Sequence, residues 1–279
     1  MIAILGGLGA ALAFGASTLC SSRSTRMIGS ASVVAWIMII GLIATVPLLA
    51  VAGRPDLSGK ATLWLVLSGL GNVSGLLVVY AALRIERVGI VAPITSTEGG
   101  IAALIAGAAG EAIGGGTGIA LGAVAVGVVL AGVVREHREE PHDHRGALLA
   151  LASAGLFGMG LYATGRVGAD LPIAWAILPA RAVGVLVVTL PLALASRLQL
   201  TRQALPLVVC SGLAEVAGFA SYAVGARHGI AVSAVITAQF AAVAVVGGYV
   251  LFGERLARVQ VAGVAIIIAG VAALAALQA

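Results

Sequence analysis

Ten apolar stretches, separated by short polar connectors, decide what this chain can fold into. Each stretch holds about 20 mainly apolar residues, the length that a helix needs to cross the hydrocarbon core of a bilayer. Strands of a membrane barrel are about half as long, so the lengths favour helices. We therefore predict an all-α polytopic membrane protein with ten transmembrane helices. They cover approximately residues 2–20, 30–52, 61–83, 88–109, 113–134, 147–165, 173–195, 205–226, 230–252 and 259–277.

Charged residues are too few to cover a water-soluble protein. They make up 10% of the 279 residues, whereas soluble domains carry about 25%. The net charge of +5 is therefore assigned to loops at a membrane surface and not to a nucleic-acid-binding face. We expect the partners to be the lipid bilayer and a small-molecule substrate, with no nucleic acid.

The two halves of the sequence echo each other at an offset of about 140 to 144 residues, as the halves of transporters commonly do. We predict a first five-helix repeat at 1–134, a charged linker at 135–146 and a second five-helix repeat at 147–279. Five matches occur in the same order: Phe14-Gly15 with Phe157-Gly158, Pro47 with Pro191, Tyr80-Ala81 with Tyr222-Ala223, Gly89-Ile90 with Gly229-Ile230, and Gly110-Glu111 with Gly253-Glu254.

An odd number of spans in each half inverts the second half relative to the first. Inverted repeats place a substrate site near the bilayer midplane, between the halves. They also offer two related ways of closing a cavity, one on each side of the membrane, which is the basis of alternating access. Because both halves lie in one chain, we expect a monomer to be functional.

The chain contains the motifs Tyr80-Ala81-Ala82-Leu83, Val91-Ala92-Pro93-Ile94 and Gly110-Glu111, with Tyr222 and Gly253-Glu254 repeating the plan. These motifs resemble those of the drug/metabolite transporter superfamily, EamA branch. The resemblance implies ten helices, with the third, fourth, eighth and ninth lining a cavity, and export of small metabolites such as amino acids. An Arg nine residues after a Pro, as in Pro172 and Arg181, also fits the family, although residues 35–38 of the first half contain no Arg.

Three ionisable residues, Glu98, Arg181 and Glu215, lie inside predicted spans. A charge in lipid costs a few kcal/mol, so such residues usually face the bundle interior and mark a transport pathway. The depths of Arg181 and Glu215 differ by only about 5 Å, which makes Arg181 a candidate charge partner. A carboxylate at this depth binds an amino group or carries a proton; the alternative is that it only satisfies neighbouring helices.

Further polar residues fall at similar depth in the third, fourth, eighth and ninth spans, where the resemblance implies the cavity. The threonines have the alternative of bonding to their own helix, and the tyrosines that of packing at helix ends. The predicted substrate-binding residues are Glu98, Gln239, Asn72, Glu215, Tyr80, Tyr222, Thr95 and Thr237.

The sequence predicts neither an enzyme nor a cofactor, although proton coupling is left open. No His-Glu-x-x-His pair occurs, and Gly114-Gly115-Gly116 lacks the Lys of a phosphate-binding loop. The linker contains His137, His142 and His144, but a solvated linker explains this composition better than a metal site does. We therefore predict no metal.

Lys and Arg are distributed unevenly between the connectors. Odd-numbered connectors carry eleven and even-numbered connectors carry four, which together with Arg181 account for all 16. The positive-inside rule then places odd connectors in the cytoplasm and both termini outside, in a bacterial-type inner membrane. The main hypothesis is an amino-acid exporter. The alternatives are organic-cation efflux, weakened because the first span has no Glu, and a lipid flippase.

Overall fold

A computed structural model describes residues 1–55, 57–85, 91, 94–132, 144–252 and 257–277, and this part of the chain is all-helical. A π turn at Val185–Thr189 interrupts the helical stretch between Ile173 and Leu194. The helices are α1 (Ile2–Ile28), α2 (Ser30–Ala52), α3 (Gly59–Ile85), α4 (Glu98–Ala108), α5 (Gly115–Gly132), α6 (His144–Asp170), α7 (Ile173–Gly184), α8 (Leu190–Leu194), α9 (Leu205–Ala226), α10 (Ile230–Thr237), α11 (Phe240–Phe252) and α12 (Arg258–Leu277).

Seven stretches of the described chain are long and apolar enough to cross a membrane. Three further apolar helices, which begin at Glu98, Gly115 and Arg258, are shorter. The chain is therefore a multi-pass, all-α membrane protein, whereas the count of ten spans and their inverted arrangement stay predictions. Of the linker histidines, His137 and His142 lie outside the described residues, and His144 begins α6.

The first helix is longer than the predicted span at 2–20. It continues to Ile28, and only Gly29, with φ of 78°, separates α1 from α2. Ser22 and Ser24 donate hydrogen bonds to carbonyls of the preceding turn, so their hydroxyls are satisfied within the helix. The predicted first connector is therefore mostly helix, and Gly29 supplies the positive φ for an abrupt turn.

Helices from the two predicted halves interlock instead of forming separate bodies. Helix α1 packs along α9, α3 packs along α6, and α5 packs along α12. Glycines allow close approach at each crossing: a Cβ on Gly6 would lie 2.5 Å from Gly225, and one on Gly71 would lie 2.7 Å from Gly160. Small residues serve this purpose in membranes because lipid does not drive helices together as water does.

Two adjacent glycines at the start of α4 give a matched test of this packing. A Cβ on Gly99 would lie 2.6 Å from the Ala234 carbonyl oxygen, whereas one on Gly100 would meet only Ala125, at 3.9 Å. We expect Gly99→Ala to cost about 1–3 kcal/mol by overpacking. We expect Gly100→Ala to add about 1 kcal/mol through helix propensity. Thermal unfolding in detergent measures both, and a Gly99→Ala variant as stable as the parent would contradict the close contact.

Candidate functional site

Two helix interruptions meet in the middle of the bundle. A turn at Ser96 and Thr97 precedes α4, and a turn at Ala238 and Gln239 separates α10 from α11. Helix α4 packs against α10, so the two interruptions are neighbours in space. They are also separated by 142 residues, the offset of the sequence echo. Interrupted helices at membrane depth leave backbone polar groups for a solute or for water, and transporters build substrate sites in this way.

A cavity of about 270 Å³ lies beside these interruptions. Its wall combines residues from both predicted halves, including four phenylalanines and a run of hydroxyl-bearing residues on α1. Six residues named from the sequence line it and are thereby brought together: Asn72, Thr95, Glu98, Arg181, Glu215 and Thr237.

The other three residues named from the sequence have different surroundings. Tyr222 is fully buried and is not a lining residue; its hydroxyl donates a hydrogen bond to the carbonyl oxygen of Leu161, which does line the cavity, at 2.8 Å. Gln239 is 4% exposed and lies in the turn after α10, next to the lining without belonging to it. The side chain of Tyr80 lies outside the described part of the chain.

Two threonines of the cavity wall have buried hydroxyls without a hydrogen-bond partner among the described residues. They are Thr95, just before the first interruption, and Thr237, just before the second. Thr45 and Thr164 instead donate to carbonyls of their own helices, at 2.6 and 2.7 Å. An unsatisfied buried polar group costs free energy, so the two cavity hydroxyls are available to a ligand or to water. The buried amide nitrogen of Gln239 is likewise without a partner there.

An ion pair forms one wall of the cavity. Arg181 Nη2 donates to Glu215 Oε2 at 3.0 Å; the Arg181 side chain is fully buried and that of Glu215 is 26% exposed. Ser17 on α1 donates to the other oxygen of Glu215 at 3.3 Å and bonds the hydroxyl of Ser211 at 2.7 Å. The depth argument from the sequence allowed this pair, and packing of α7 against α9 supplies the lateral contact that depth alone left open.

The guanidinium of Arg181 is held on several further sides. Its centre lies 5.0 Å from the ring centroid of Phe219, and Nη1 lies 3.5 Å from Met38 Sδ. Gly41 leaves room for the aliphatic part of the Arg181 side chain, since a Cβ on Gly41 would lie 2.8 Å from Arg181 Cδ. The Nε atom has no partner among the described residues. Arg181 is thus fixed in place while one donor stays free.

The charges of the cavity are unequal. Arg181 brings one cation, whereas Glu98 and Glu215 bring two carboxyl groups to the same lining. No hydrogen bond to the Glu98 carboxyl is found within the described chain, and Glu98 stands in the first turn of α4, where a helix dipole favours an anion. The arrangement offers a carboxylate for an ammonium group or a proton, and a guanidinium for an anion.

The cavity extends towards one end of the molecule, which we name the α1–α2 end. Its lining follows α1 from Phe14 to Thr25 and the start of α2 from Val33 to Met38. The opposite end, where α9 ends and α10 begins, is named the α9–α10 end. It is closed by buried side chains, among them Tyr222 and all eight residues of α10.

The sequence analysis missed one side of this site. Ser17, Ser21 and Thr25 place hydroxyls at every fourth residue of α1, and all three line the cavity. Phe14 also lines it, with its ring 5.1 Å from that of Phe219 and edge-on to it. The spacing of four was visible in the sequence as a polar stripe along α1 and could have indicated this wall.

Comparisons with known proteins find one family model and a solved structure that are similar to this chain. Residues 1–133 match the model of the EamA-like transporter family. A solved crystal structure of a protein superposes with a TM-score of 0.79, at 17% identity, over 99% of this chain and 96% of its own. At that identity the structural match shows the fold alone. No curated protein matches the chain.

Proposed function

Since residues 1–133 match the model of the EamA-like transporter family, we propose that this chain is a secondary transporter that exports small organic metabolites, foremost amino acids. Transport follows alternating access, with the substrate held in the central cavity between the two predicted repeats. The family supports a membrane transporter of small molecules; the substrate class and the mechanism are our proposal.

One observation carries the proposal: the cavity combines unpartnered hydroxyls with charges of both signs. Thr95 and Thr237 offer free hydroxyls, Glu98 offers a carboxyl group, and Arg181 offers a guanidinium shared with Glu215. Guanidinium groups bind carboxylates, and carboxylates bind ammonium groups. A zwitterionic amino acid carries both groups at its α-carbon, so its ends match the two signs present.

Cavity size supports a small substrate. Pockets for drug-sized ligands measure about 300–1,000 Å³, and this cavity of about 270 Å³ lies below that range. It suits an amino acid better than a polycyclic drug. The side chain of the substrate would lie against Phe14, Phe219 and Phe240, three phenylalanines of the lining.

Organic-cation efflux is the second candidate, and the excess of carboxyl groups favours it. Glu98 and Glu215 outnumber Arg181, and the four phenylalanines of the lining offer ring faces to a cation. Against it, Glu215 is already paired with Arg181 at 3.0 Å, which leaves Glu98 as the uncommitted carboxyl group. The two candidates differ in whether the substrate needs a carboxylate.

Flux into proteoliposomes tests the proposal. We expect uptake of zwitterionic amino acids above that of protein-free vesicles, and no uptake of their methyl esters, which keep the ammonium group and lose the carboxylate. Equal uptake of the esters and of quaternary ammonium compounds would favour cation efflux, and transfer of labelled phospholipid alone would favour a flippase. A pH gradient imposed in the same assay tests proton coupling.

We propose a bacterial-type inner membrane as the location, a functional monomer, and an orientation with the α1–α2 end in the cytoplasm. Arg23 and Arg26 of the first connector lie near the end of α1, at that end of the molecule. Odd connectors hold most Lys and Arg of the sequence, and the positive-inside rule assigns such connectors to the cytoplasm. The structure then corresponds to a cavity that faces inwards. To test the orientation, a cysteine is placed before Ile2 and an impermeant thiol reagent is added to intact cells. We expect this cysteine to be labelled. A cysteine that does not react would show the reverse orientation.

A further inference from the structure

The closed α9–α10 end is held by a carboxylate that caps a helix. Glu111 follows α4, and its Oε2 and Oε1 accept hydrogen bonds from the backbone N–H groups of Ile230 and Ala231, each at 3.1 Å. The N–H groups in the first turn of a helix have no acceptor within that helix, and the helix dipole also favours an anion at this end. Glu111 supplies both the acceptor and the negative charge for α10. One carboxylate of the first predicted repeat therefore fixes the start of a helix of the second repeat.

Helix α10 connects this cap to the central cavity. It has only eight residues, all buried, and its last residue is Thr237 on the cavity wall. At 1.5 Å per residue it is a rod about 12 Å long. A displacement at Ile230 therefore moves Thr237 and the turn that follows it, because a fully packed helix shifts as one piece.

A second clamp ties the same end to α6. Arg227 stands three residues before Ile230, and it donates Nε to the carbonyl oxygen of Gly168 at 2.6 Å and Nη2 to that of Leu171 at 3.1 Å. Gly229, between Arg227 and α10, has φ of 148°, and a Cβ there would lie 3.5 Å from Glu111 Oε1. The chain thus turns sharply between the two clamps.

Glu111 also borders solvent. A second cavity of about 560 Å³ lies at this end, lined by Glu111, Tyr162, Arg166 and Arg227 among others. The Glu111 side chain is half-buried, so water in this vestibule can solvate the carboxylate when its bonds to α10 break. A fully buried cap would have no such alternative partner. Both the bonded and the released arrangement of Glu111 are therefore satisfied.

We propose that Glu111 is the positioning residue of a gate at the α9–α10 end, and that its bonds to Ile230 and Ala231 hold the pathway closed in this conformation. Opening of this end releases the cap and shifts α10 with Thr237, which couples the gate to the substrate site. This inference rests on the proposed alternating access, and it assigns to Glu111 a role outside the cavity.

Accessibility of engineered thiols tests the gate without any substrate. In a background of Cys20→Ser and Cys210→Ser, the two cysteines of the chain, Ser233→Cys places a thiol on α10 behind the cap, where Ser233 is fully buried. Thr25→Cys places one at the mouth of the cavity. An impermeant maleimide is applied to membrane vesicles of either orientation. We expect Glu111→Gln to raise labelling at Ser233→Cys from the α9–α10 end at least about tenfold.

The matched control is Asp170→Asn, which removes a carboxylate from an exposed residue at the same end of the molecule. We expect it to leave both labelling rates unchanged. In Glu111→Gln, labelling at Thr25→Cys from the α1–α2 end should fall, because alternating access closes this end when the α9–α10 end opens. An unchanged rate at Ser233→Cys overturns the proposal, and so does an equal rise at both thiols, which indicates general loosening. Because no substrate is involved, failure of the amino-acid assignment leaves this result unaffected.

Discussion

Replacing Arg181 with methionine is expected to lower the free energy of unfolding by about 3 kcal/mol, because it leaves the partly buried Glu215 carboxylate without its charged partner. The pair joins α7 to α9 at 3.0 Å, with Arg181 fully buried. Thermal unfolding of the detergent-solubilised protein measures the loss. The control Arg197→Met removes an exposed arginine from the connector after α8 and should change stability by less than about 0.5 kcal/mol.

The double variant Arg181→Met/Glu215→Leu separates stability from transport. Replacing both members of a buried ion pair with apolar residues is often neutral for stability. We therefore expect the double variant to regain most of the stability lost in Arg181→Met and to stay inactive in transport. Recovery of amino-acid flux in that variant would show that the pair serves only the fold and would remove Arg181 from the substrate site.

Substitution Glu98→Gln is expected to reduce amino-acid flux at least about tenfold, since a hydrogen bond to a charged group contributes roughly 1.5–3 kcal/mol. Glutamine keeps the size of the side chain and one oxygen acceptor but carries no charge. Glu98 lines the cavity and stands at the start of α4, and no described residue donates a hydrogen bond to its carboxyl group. The fold should therefore tolerate the change.

Two readouts distinguish the roles of Glu98. If its carboxylate binds the substrate ammonium group, Glu98→Gln raises KM. If it carries a proton, a pH gradient no longer accelerates substrate flux in the variant, whereas exchange of substrate for substrate across the membrane continues. Asp170→Asn again supplies the control, because it removes an exposed carboxylate outside the cavity. Flux equal to the parent under both conditions would contradict a function for Glu98.

Much of the cavity was visible in the sequence because charges are rare in apolar spans. Glu98, Arg181 and Glu215 stand out against the apolar residues around them, and Thr95 and Thr237 fall in spans where the resemblance implies the cavity. All five line the cavity. The lateral contact between Arg181 and Glu215 could not be predicted from the sequence. Counting residues along a span gives the depth of a side chain in the membrane, but it does not give the direction in which that side chain points around the helix axis.

The helix interruptions and the α1 wall escaped sequence reasoning for different reasons. A two-residue turn at Ser96 and Thr97 is too short to lower the hydropathy of a window of about 20 residues. Ser17 and Thr25 lie in a helix where many serines only bond back to their own turn, as Ser22 does. Tyr222 is the opposite case, a residue that the sequence analysis named for substrate binding but that does not line the cavity. Its hydroxyl donates a hydrogen bond to the carbonyl oxygen of Leu161 instead.

Counterflow in proteoliposomes tests the central claim, alternating access through the cavity, most directly. Vesicles are loaded with an unlabelled mixture of amino acids and diluted into a trace of one labelled amino acid. Alternating access predicts transient accumulation of the label above its equilibrium level, because the carrier exchanges inner for outer substrate. The Glu98→Gln variant should show little or no accumulation. Label that enters only to equilibrium, at a rate independent of the internal amino acids, would contradict the claim.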